Sequence, residues 1–341
     1  MTYKRLEKLF VICFVAFSAN LTTADEDFNS STRKAVNRSI SLIEKSMAEY
    51  LNHRECFSCH HQALPVIALT TADRYGFKID RKKLKAQLDH TLKHFRKNVS
   101  KYREGKGTGG QVDTAGYGLW ALAEGGVEKS EYTEAVTGYL LKRDRKRKFW
   151  RRSSERPPSE ASNFTTTSLA INALQNYGTK EQAKSIDERI LRVKNWLNET
   201  KCRDTEDTVF KINALVDLKM KKELISKLAE SLLKTQNPDG GWSQLADMKS
   251  DAYATATVLF AMAKSKTLKP GDPRYMKAIK FLVNTQNSDG SWYVKSRSDP
   301  FQEYFESGFP HEADQFISIT ATCWAVIALA EANNWSEKEK K

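Results

Sequence analysis

A five-residue run, Cys56-Phe-Ser-Cys59-His60, groups side chains that bind metals or react covalently. The C-x-x-C-H spacing is typical of c-type haem attachment, in which two thiols add to the porphyrin and the next imidazole ligates the iron. We therefore expect Cys56 and Cys59 to hold haem c covalently, with His60 as the proximal metal ligand. The same residues leave open a redox or structural disulfide between the two cysteines, and a zinc site that uses His60 and His61.

The first 24 residues have the pattern of a secretory signal peptide. Basic residues at positions 4, 5 and 8 precede an apolar run over 9–19, and Thr22-Thr-Ala24 supplies small residues for cleavage. An uncleaved anchor is the alternative. We expect export, so that the protein is periplasmic or secreted. In such a compartment Cys202 and Cys323 either form a disulfide or remain buried as small apolar residues.

The composition indicates a globular protein with a basic surface. The 341 residues are 40% hydrophobic and carry a net charge of +13. Sixteen Gly and eight Pro are too few for a fibrous chain, and the apolar content is too high for general disorder. A mean hydropathy of -0.59 excludes several membrane spans. The length suits one large domain or two ordinary ones.

Ala- and Leu-rich helical segments recur at intervals of about fifty residues, and a more charged amphipathic segment precedes each. The apolar segments should be buried, and the charged ones should face solvent on one side. The apolar set is 64–76, 114–125, 165–178, 207–218, 251–264 and 317–332; the charged set is 34–51, 81–97, 131–141, 183–199, 222–235 and 274–285. The pattern predicts an all-α (α/α)6 toroid over residues 25–335, with six inner and six outer helices and a disordered tail at 336–341.

Two phrases follow the fifth and sixth charged segments: Gln236-Asn-Pro-Asp-Gly-Gly-Trp242 and Gln286-Asn-Ser-Asp-Gly-Ser-Trp292. They resemble the QW repeat of the squalene and terpenoid cyclases, a superfamily that includes the β subunits of protein prenyltransferases. Degenerate copies are expected at Trp196-Leu197 and Tyr139-Leu140. The resemblance implies the toroidal fold, because in that family these phrases are structural.

The segment Asp204-Thr-Glu206-Asp207-Thr208 resembles the D-x-D-D-T acid motif of squalene-hopene cyclases, with Glu206 in place of the middle Asp. The resemblance implies that Glu206, Asp207 and Asp204 are acid catalysts that protonate a polyene, since clustered carboxylates favour a protonated member. The alternative is that these residues only cap a helix. Further polar residues begin other apolar helices, and they either cap those helices or line a pocket: Gln111, Asp113, Glu160, Ser162, Asp251, Tyr253, Asp314 and Gln315.

Three functions follow from these observations. The first is an exported haem protein for electron transfer or haem-centred redox chemistry, with a redox partner. The second is a terpenoid-cyclase- or prenyltransferase-like enzyme that uses the D-x-E-D motif on a hydrophobic small molecule. The third is a non-catalytic toroid that binds a lipid or a protein.

The segment from Lys142 to Arg152 contains eight basic residues and a single acid, with Phe149 and Trp150 among them. It predicts contact with an anionic membrane surface or an acidic partner, and a solvated loop is the alternative. Nucleic acid would attract the same charge, but we expect none as a partner of an exported protein.

Overall fold

The structure is a computed structural model that describes the backbone of residues 3–299 and 304–338, and the side chains of residues 28–299 and 304–333. Within these residues the chain forms thirteen α-helices and no β-strand, apart from two isolated bridges. The predicted signal peptide at 1–24 lies outside the described side chains and stays a prediction, as does the tail at 336–341.

Six helices form an inner ring: α2 (Leu64–Arg74), α5 (Gln111–Glu124), α7 (Asn163–Tyr177), α9 (Thr205–Asp217), α11 (Ala252–Ser265) and α13 (Gln315–Lys338). A π-helical turn, Cys59–Ala63, leads directly into α2. Each inner helix packs against the next, and α13 packs against α2, which closes the ring. Within the described residues, the stretch Glu312–Asn333 is long and apolar enough to cross a membrane. It is 83% buried in the protein, as a core helix requires.

Six helices form the outer layer: α1 (Tyr3–His53), α3 (Arg81–Lys97), α6 (Glu131–Lys142), α8 (Ala183–Glu199), α10 (Lys222–Leu233) and α12 (Pro273–Thr285). A short helix, α4 (Val99–Arg103), lies between α3 and α5. The outer helices are amphipathic, with one buried face and one charged face, whereas the inner helices are buried nearly all round. The predicted (α/α)6 toroid of six inner and six outer helices is therefore confirmed.

Aromatic side chains fill the axis of the ring. The Trp120 ring on α5 lies 6.2 Å from the Phe260 ring on α11, measured between centroids. These two helices stand opposite each other in the order of the ring, so this contact crosses the axis. Trp324 from α13 packs against both rings, 6.0 Å from Trp120 and 5.0 Å from Phe260. The middle of the toroid is thus a packed core, and open space is confined to its ends.

The QW phrases share one hydrogen bond that joins the tryptophan to the end of the preceding outer helix. In each, the indole N–H donates to a backbone carbonyl ten residues earlier, from Trp242 to Leu232 at 2.7 Å and from Trp292 to Leu282 at 2.9 Å. Trp150 makes the same bond to Leu140 at 2.7 Å. The degenerate copy expected at Tyr139-Leu140 therefore exists, and its tryptophan lies within the basic segment. No such bond joins Trp196 to the chain in the described residues, and its ring instead stacks on Phe149 at 4.9 Å.

The basic segment, residues 142–152, wraps a buried arginine. Arg189 from α8 lies over the Trp150 ring at 4.2 Å and donates to the carbonyl oxygens of Asp144, Arg147 and Phe149 at 2.8, 2.7 and 3.0 Å. Trp150 is fully buried, so it cannot reach a membrane. The exposed charge is concentrated in residues 145–148, and contact of these residues with an anionic surface stays a prediction.

Gln286 directly follows α12, the last outer helix, and its contacts with α1, the first outer helix, close the outer layer. Its amide donates to Ala35 O and Ser39 Oγ, both at 2.9 Å, and to Gly290 O at 3.1 Å. We expect Gln286→Ala to lower the free energy of unfolding by about 1–3 kcal/mol, because partly buried acceptors lose their donor. Urea denaturation measures this change. Glu188→Ala on the exposed face of α8 is the control, and equal midpoints for the two variants would contradict the role of Gln286.

Candidate functional site

The N-terminal ends of the inner helices meet at one end of the ring, which we call the mouth. Hydrogen bonds between neighbouring helices show this directly: Thr166 on α7 donates to Asp113 on α5 at 2.6 Å, and Thr165 on α7 donates to Glu206 on α9 at 2.8 Å. The polar residues expected to cap helices or line a pocket are therefore brought together at the mouth.

Glu206 lies in the first turn of α9 with 6% of its surface exposed. Its Oε1 accepts the hydrogen bond from Thr165, and its Oε2 accepts one from the Tyr253 hydroxyl at 3.1 Å. Burial raises the pKa of Glu206 well above its usual value, and this effect exceeds the lowering caused by the two hydrogen bonds. Burial therefore favours the protonated form of the Glu206 carboxyl group, which is held in place by two neutral hydroxyl groups.

The two neighbouring carboxylates have different surroundings. Asp204 caps α9 by accepting from the Asp207 backbone N–H at 2.8 Å, as the capping alternative expected. Asp207 is buried, pairs with the Arg203 guanidinium at 2.8 Å and accepts from Ser162 Oγ at 2.6 Å. The predicted acid motif thus consists of one helix cap, one ion-paired carboxylate and one buried carboxyl group with a raised pKa. The contribution of Thr165 was missed, although three consecutive Thr residues at a helix start could have indicated it.

A small gap of about 20 Å³ lies beside Glu206. Its walls include Pro157, Pro158, Tyr253 and Arg297, and the last of these donates to Gln244 at 2.8 Å. A space of this size holds about one water molecule. A larger molecule reaches Glu206 only if the loop that carries the two prolines moves.

Cys56 and Cys59 have different surroundings. Cys56 is exposed and lies 3.7 Å from the Tyr50 hydroxyl on α1, measured from Sγ. Cys59 is buried at the start of the π-helical turn, where burial and the charges of Glu160 and Asp113 raise the pKa of its thiol well above the usual value. Both are free thiols, as are Cys202 and Cys323, so neither predicted disulfide is present.

His60 and His61 belong to a chain of hydrogen bonds. His60 Nδ1 lies 3.0 Å from Ser58 Oγ and 2.5 Å from His61 Nδ1, and His61 Nε2 lies 2.7 Å from Ser307 Oγ. Burial lowers the pKa of His60 to about 3, so its imidazole is uncharged at neutral pH. His61 is fully buried and unavailable to a ligand.

The arrangement does not fit a covalently attached haem. A cavity of about 390 Å³ opens beside His60, but neither cysteine lines it, whereas thioether attachment requires both sulfurs at the edge of the slot that holds the porphyrin. The zinc alternative has no support either, since the described residues contain no group of three potential ligands. Haem c, zinc and a redox role therefore remain predictions from the motif alone.

Two further buried carboxyl groups, Asp113 and Glu160, lie near Cys59, and Glu160 also lines this cavity. Asp113 accepts from Thr166 through Oδ1, while its Oδ2 is buried without a hydrogen-bond partner. Burial, together with the charge of Glu160, raises the pKa of Asp113 to about 7. Glu160 pairs with Arg156 at 3.2 Å. Burial thus raises the pKa of several carboxyl groups at the mouth, among them Asp113, Glu206 and Asp251, the last to about 6.

The raised pKa of Asp113 predicts a pH dependence of stability. The folded state retains this proton up to about pH 7, whereas an unfolded Asp releases it near pH 3.8. The contribution of Asp113 to the free energy of unfolding is therefore complete at low pH and is lost as the pH rises toward 7. We expect Asp113→Asn to make the fall in unfolding free energy between pH 4 and 7 shallower by up to about 1.4 kcal/mol per pH unit. Urea denaturation across this range tests it. Parallel curves for wild type and variant would contradict it, and the exposed Asp187→Asn is the control.

The positions of the cysteines predict the absorption spectrum. We expect protein matured in cells that contain haem-attachment machinery to be colourless and to carry no added mass, because the two sulfurs do not share one slot. The spectrum after denaturation and the intact mass measure this, with a Cys56→Ser, Cys59→Ser double variant as the control. A Soret band that survives denaturation would restore the haem hypothesis.

The C-terminal part of the chain is similar to a known family of proteins. Residues 194–341 match the Squalene-hopene cyclase C-terminal domain, and this range contains the acid motif and both QW phrases. Drimenyl diphosphate synthase from Streptomyces showdoensis is 38% identical over 108 residues, which are 32% of this chain and 18% of that protein. The chain thus aligns with less than a fifth of this relative.

Solved structures extend the similarity to most of the chain. The ent-copalyl diphosphate synthase from Streptomyces platensis is 17% identical with a TM-score of 0.52, over 81% of this chain and 50% of that one. The type II terpene cyclase MstE from Scytonema is 15% identical with a TM-score of 0.52, over 87% and 98%. A possible member of the GH105 family from Klebsiella pneumoniae is 12% identical with a TM-score of 0.55, over 92% and 94%.

At these identities the structures establish the fold alone. The match to the family domain adds the sequence relationship at residues 194–341. That segment is similar to the Squalene-hopene cyclase C-terminal domain, and the chain as a whole has the toroidal fold that the solved terpene cyclases share.

Proposed function

We propose that this protein is a terpenoid-cyclase-like enzyme that starts the cyclisation of an acyclic isoprenoid by protonating a carbon–carbon double bond. The observation that carries the proposal is Glu206, a carboxyl group at the mouth of the ring whose burial raises its pKa well above the usual value. A strong donor to an alkene has to be an acid kept from ionising by its surroundings, and burial provides that here. The family match at residues 194–341 and the drimenyl diphosphate synthase relative support the same chemistry.

In the proposed reaction the proton moves from a Glu206 carboxyl oxygen to one carbon of the alkene, and the other carbon becomes a cation. A second double bond of the same molecule attacks that cation and closes a ring. Loss of a proton from the cyclic cation, returned through water to Glu206, completes an isomerisation in which atoms and charge balance. Thr165 and Tyr253 hold the carboxyl group in a fixed orientation throughout.

The neighbouring carboxylates position this acid. Asp207 is neutralised by Arg203, and Asp204 fixes the start of α9, so both act through the helix that presents Glu206. Ser162 caps α7 and also donates to Asp207, which ties the first turns of two inner helices together. We therefore assign proton transfer to Glu206 alone.

Substrate binding requires the mouth to open. The gap at Glu206 is about 20 Å³, and the ring axis is filled by aromatic residues such as Trp120 and Trp324. The substrate must therefore bind above this core, in space made by displacing the loop with Pro157 and Pro158.

Turnover in heavy water tests the proposal. The full chain is incubated in D₂O with farnesyl diphosphate, geranylgeranyl diphosphate or squalene, and the products are analysed by gas chromatography and mass spectrometry, after phosphatase treatment where needed. We expect a cyclic product with one deuterium at a carbon of the former double bond. Glu206→Gln should lower the rate at least about a hundredfold, because the variant has no proton to donate.

Glu230→Gln on the exposed face of α10 is the matched control and should keep the wild-type rate. Cyclic product without deuterium would exclude protonation as the first step. Circular dichroism establishes whether the protein is folded. A folded protein that converts none of the three substrates would favour the non-catalytic lipid- or protein-binding function instead.

A further inference from the structure

The 390 Å³ cavity beside His60 is separate from the gap at Glu206 and has no part in the proposed cyclisation. The two spaces share Pro157 as a wall, but Glu206 does not line the larger one. A volume of this size is at the lower end of the range of about 300–1,000 Å³ in which proteins bind small molecules. The cavity is therefore large enough for a ligand of its own.

Its walls divide into an apolar part and a polar part. Pro157, Phe316 and Ile317 supply the apolar surface, and Ile317 is buried in the core. The polar part consists of charged residues with the hydroxyl groups of Ser159, Ser296 and Ser298. This division suits an amphiphile whose hydrocarbon portion packs on one side while its polar end faces the other.

The charge of the polar part is negative, although the chain as a whole carries +13. Arg156 is the single cation among the described lining residues, and it pairs with Glu160 at 3.2 Å. Asp299 and Asp314 add two further carboxylates. Asp314 accepts from the Tyr293 hydroxyl at 2.8 Å and from the Ser296 backbone N–H at 2.7 Å, neither of which neutralises its charge. Among the described lining residues the carboxylates therefore exceed the cations by two.

Irregular backbone brings the polar groups to this cavity. The π-helical turn presents His60, whose Nδ1 is occupied by Ser58 and His61, so Nε2 is the atom left for a ligand. His311 and Glu312 have left-handed φ angles of 84° and 47° immediately before the lining residues 313 and 314. Non-glycine residues rarely adopt such angles, and π-turns and strained residues occur preferentially at functional sites.

We propose that this cavity binds a small amphiphilic amine. The ammonium group is placed near Asp299 and Asp314, and the hydrocarbon portion packs on Phe316 and Ile317. Charge-assisted hydrogen bonds from an ammonium group to carboxylates are stronger than those of a neutral hydroxyl group. A carboxylate or a diphosphate at the same position would face like charges, which discriminates against anionic ligands.

A series of ligands with one tail and three head groups tests the proposal. Binding of n-octylamine, n-octanol and octanoate to the full chain is measured by calorimetry at pH 7 and low salt, below micelle-forming concentrations. We expect the amine to bind about tenfold more tightly than the alcohol, and octanoate to bind most weakly. Equal affinities for the three head groups, or no binding of the amine to folded protein, would overturn the proposal.

Variants locate the binding site. Asp299→Asn should weaken amine binding about threefold to tenfold and leave octanol binding unchanged, because only the charge is removed. Ala313→Phe should weaken all three ligands by filling the entrance. The exposed Asp187→Asn on α8 is the matched control and should bind like wild type. Amine binding that survives Ala313→Phe would place the site elsewhere and refute the assignment.

Glu206→Gln separates this proposal from the cyclase function. The variant should bind octylamine with wild-type affinity, since Glu206 does not line the cavity. Loss of amine binding in Glu206→Gln would indicate that the two spaces form one site, which would contradict their separation. Failure of the cyclase test leaves the binding experiment valid, because calorimetry measures the heat of binding and not turnover.

Discussion

The packing of α13 against α2 closes the ring of inner helices, and the rest of the structure depends on this closure. Each inner helix is buried nearly all round, so none of them can remain at an edge without exposing apolar surface to water. Closure removes both edges at once. It also fixes the direction of all six inner helices, because each is joined to the next by one outer helix. The polar first turns of the inner helices consequently meet at a single mouth.

Burial at the mouth then determines the chemistry. Carboxyl groups at helix starts ordinarily act as helix caps, and Asp204 does so here. Glu206 and Asp113 are enclosed by neighbouring helices and by the loop that crosses the mouth, and the loss of water raises the pKa of both. Asp207 is equally buried but has Arg203 beside it. Asp113, Glu206 and Asp207 all lie in the first turn of an inner helix, and their surroundings differ because of the groups that lie next to each.

The fold was predictable from the sequence to a greater extent than the site. Helix periodicity and the QW phrases depend on local spacing, which a sequence displays directly, and they gave the six helix pairs. Glu206 could be selected by its motif, but its partners Thr165 and Tyr253 come from other helices and required the ring. The surroundings of the C-x-x-C-H motif likewise required the structure. Its spacing suits haem, whereas the extended residue Ser58 and the π-turn direct Cys59 inward and leave Cys56 outside. Arg189 gave no signal at all, since its partners are backbone carbonyl groups of a distant loop.

The aromatic contact between Trp120 and Phe260 has a consequence for how such a protein diversifies. In a hollow toroid, substitutions deep in the wall reshape the chamber and change which molecules fit. Here the interior is solid, and any such substitution would disturb stability before it altered selectivity. Variation in what this scaffold recognises is therefore confined to the segments that cross its rim, which can lengthen, shorten or exchange side chains without disturbing the helices beneath them.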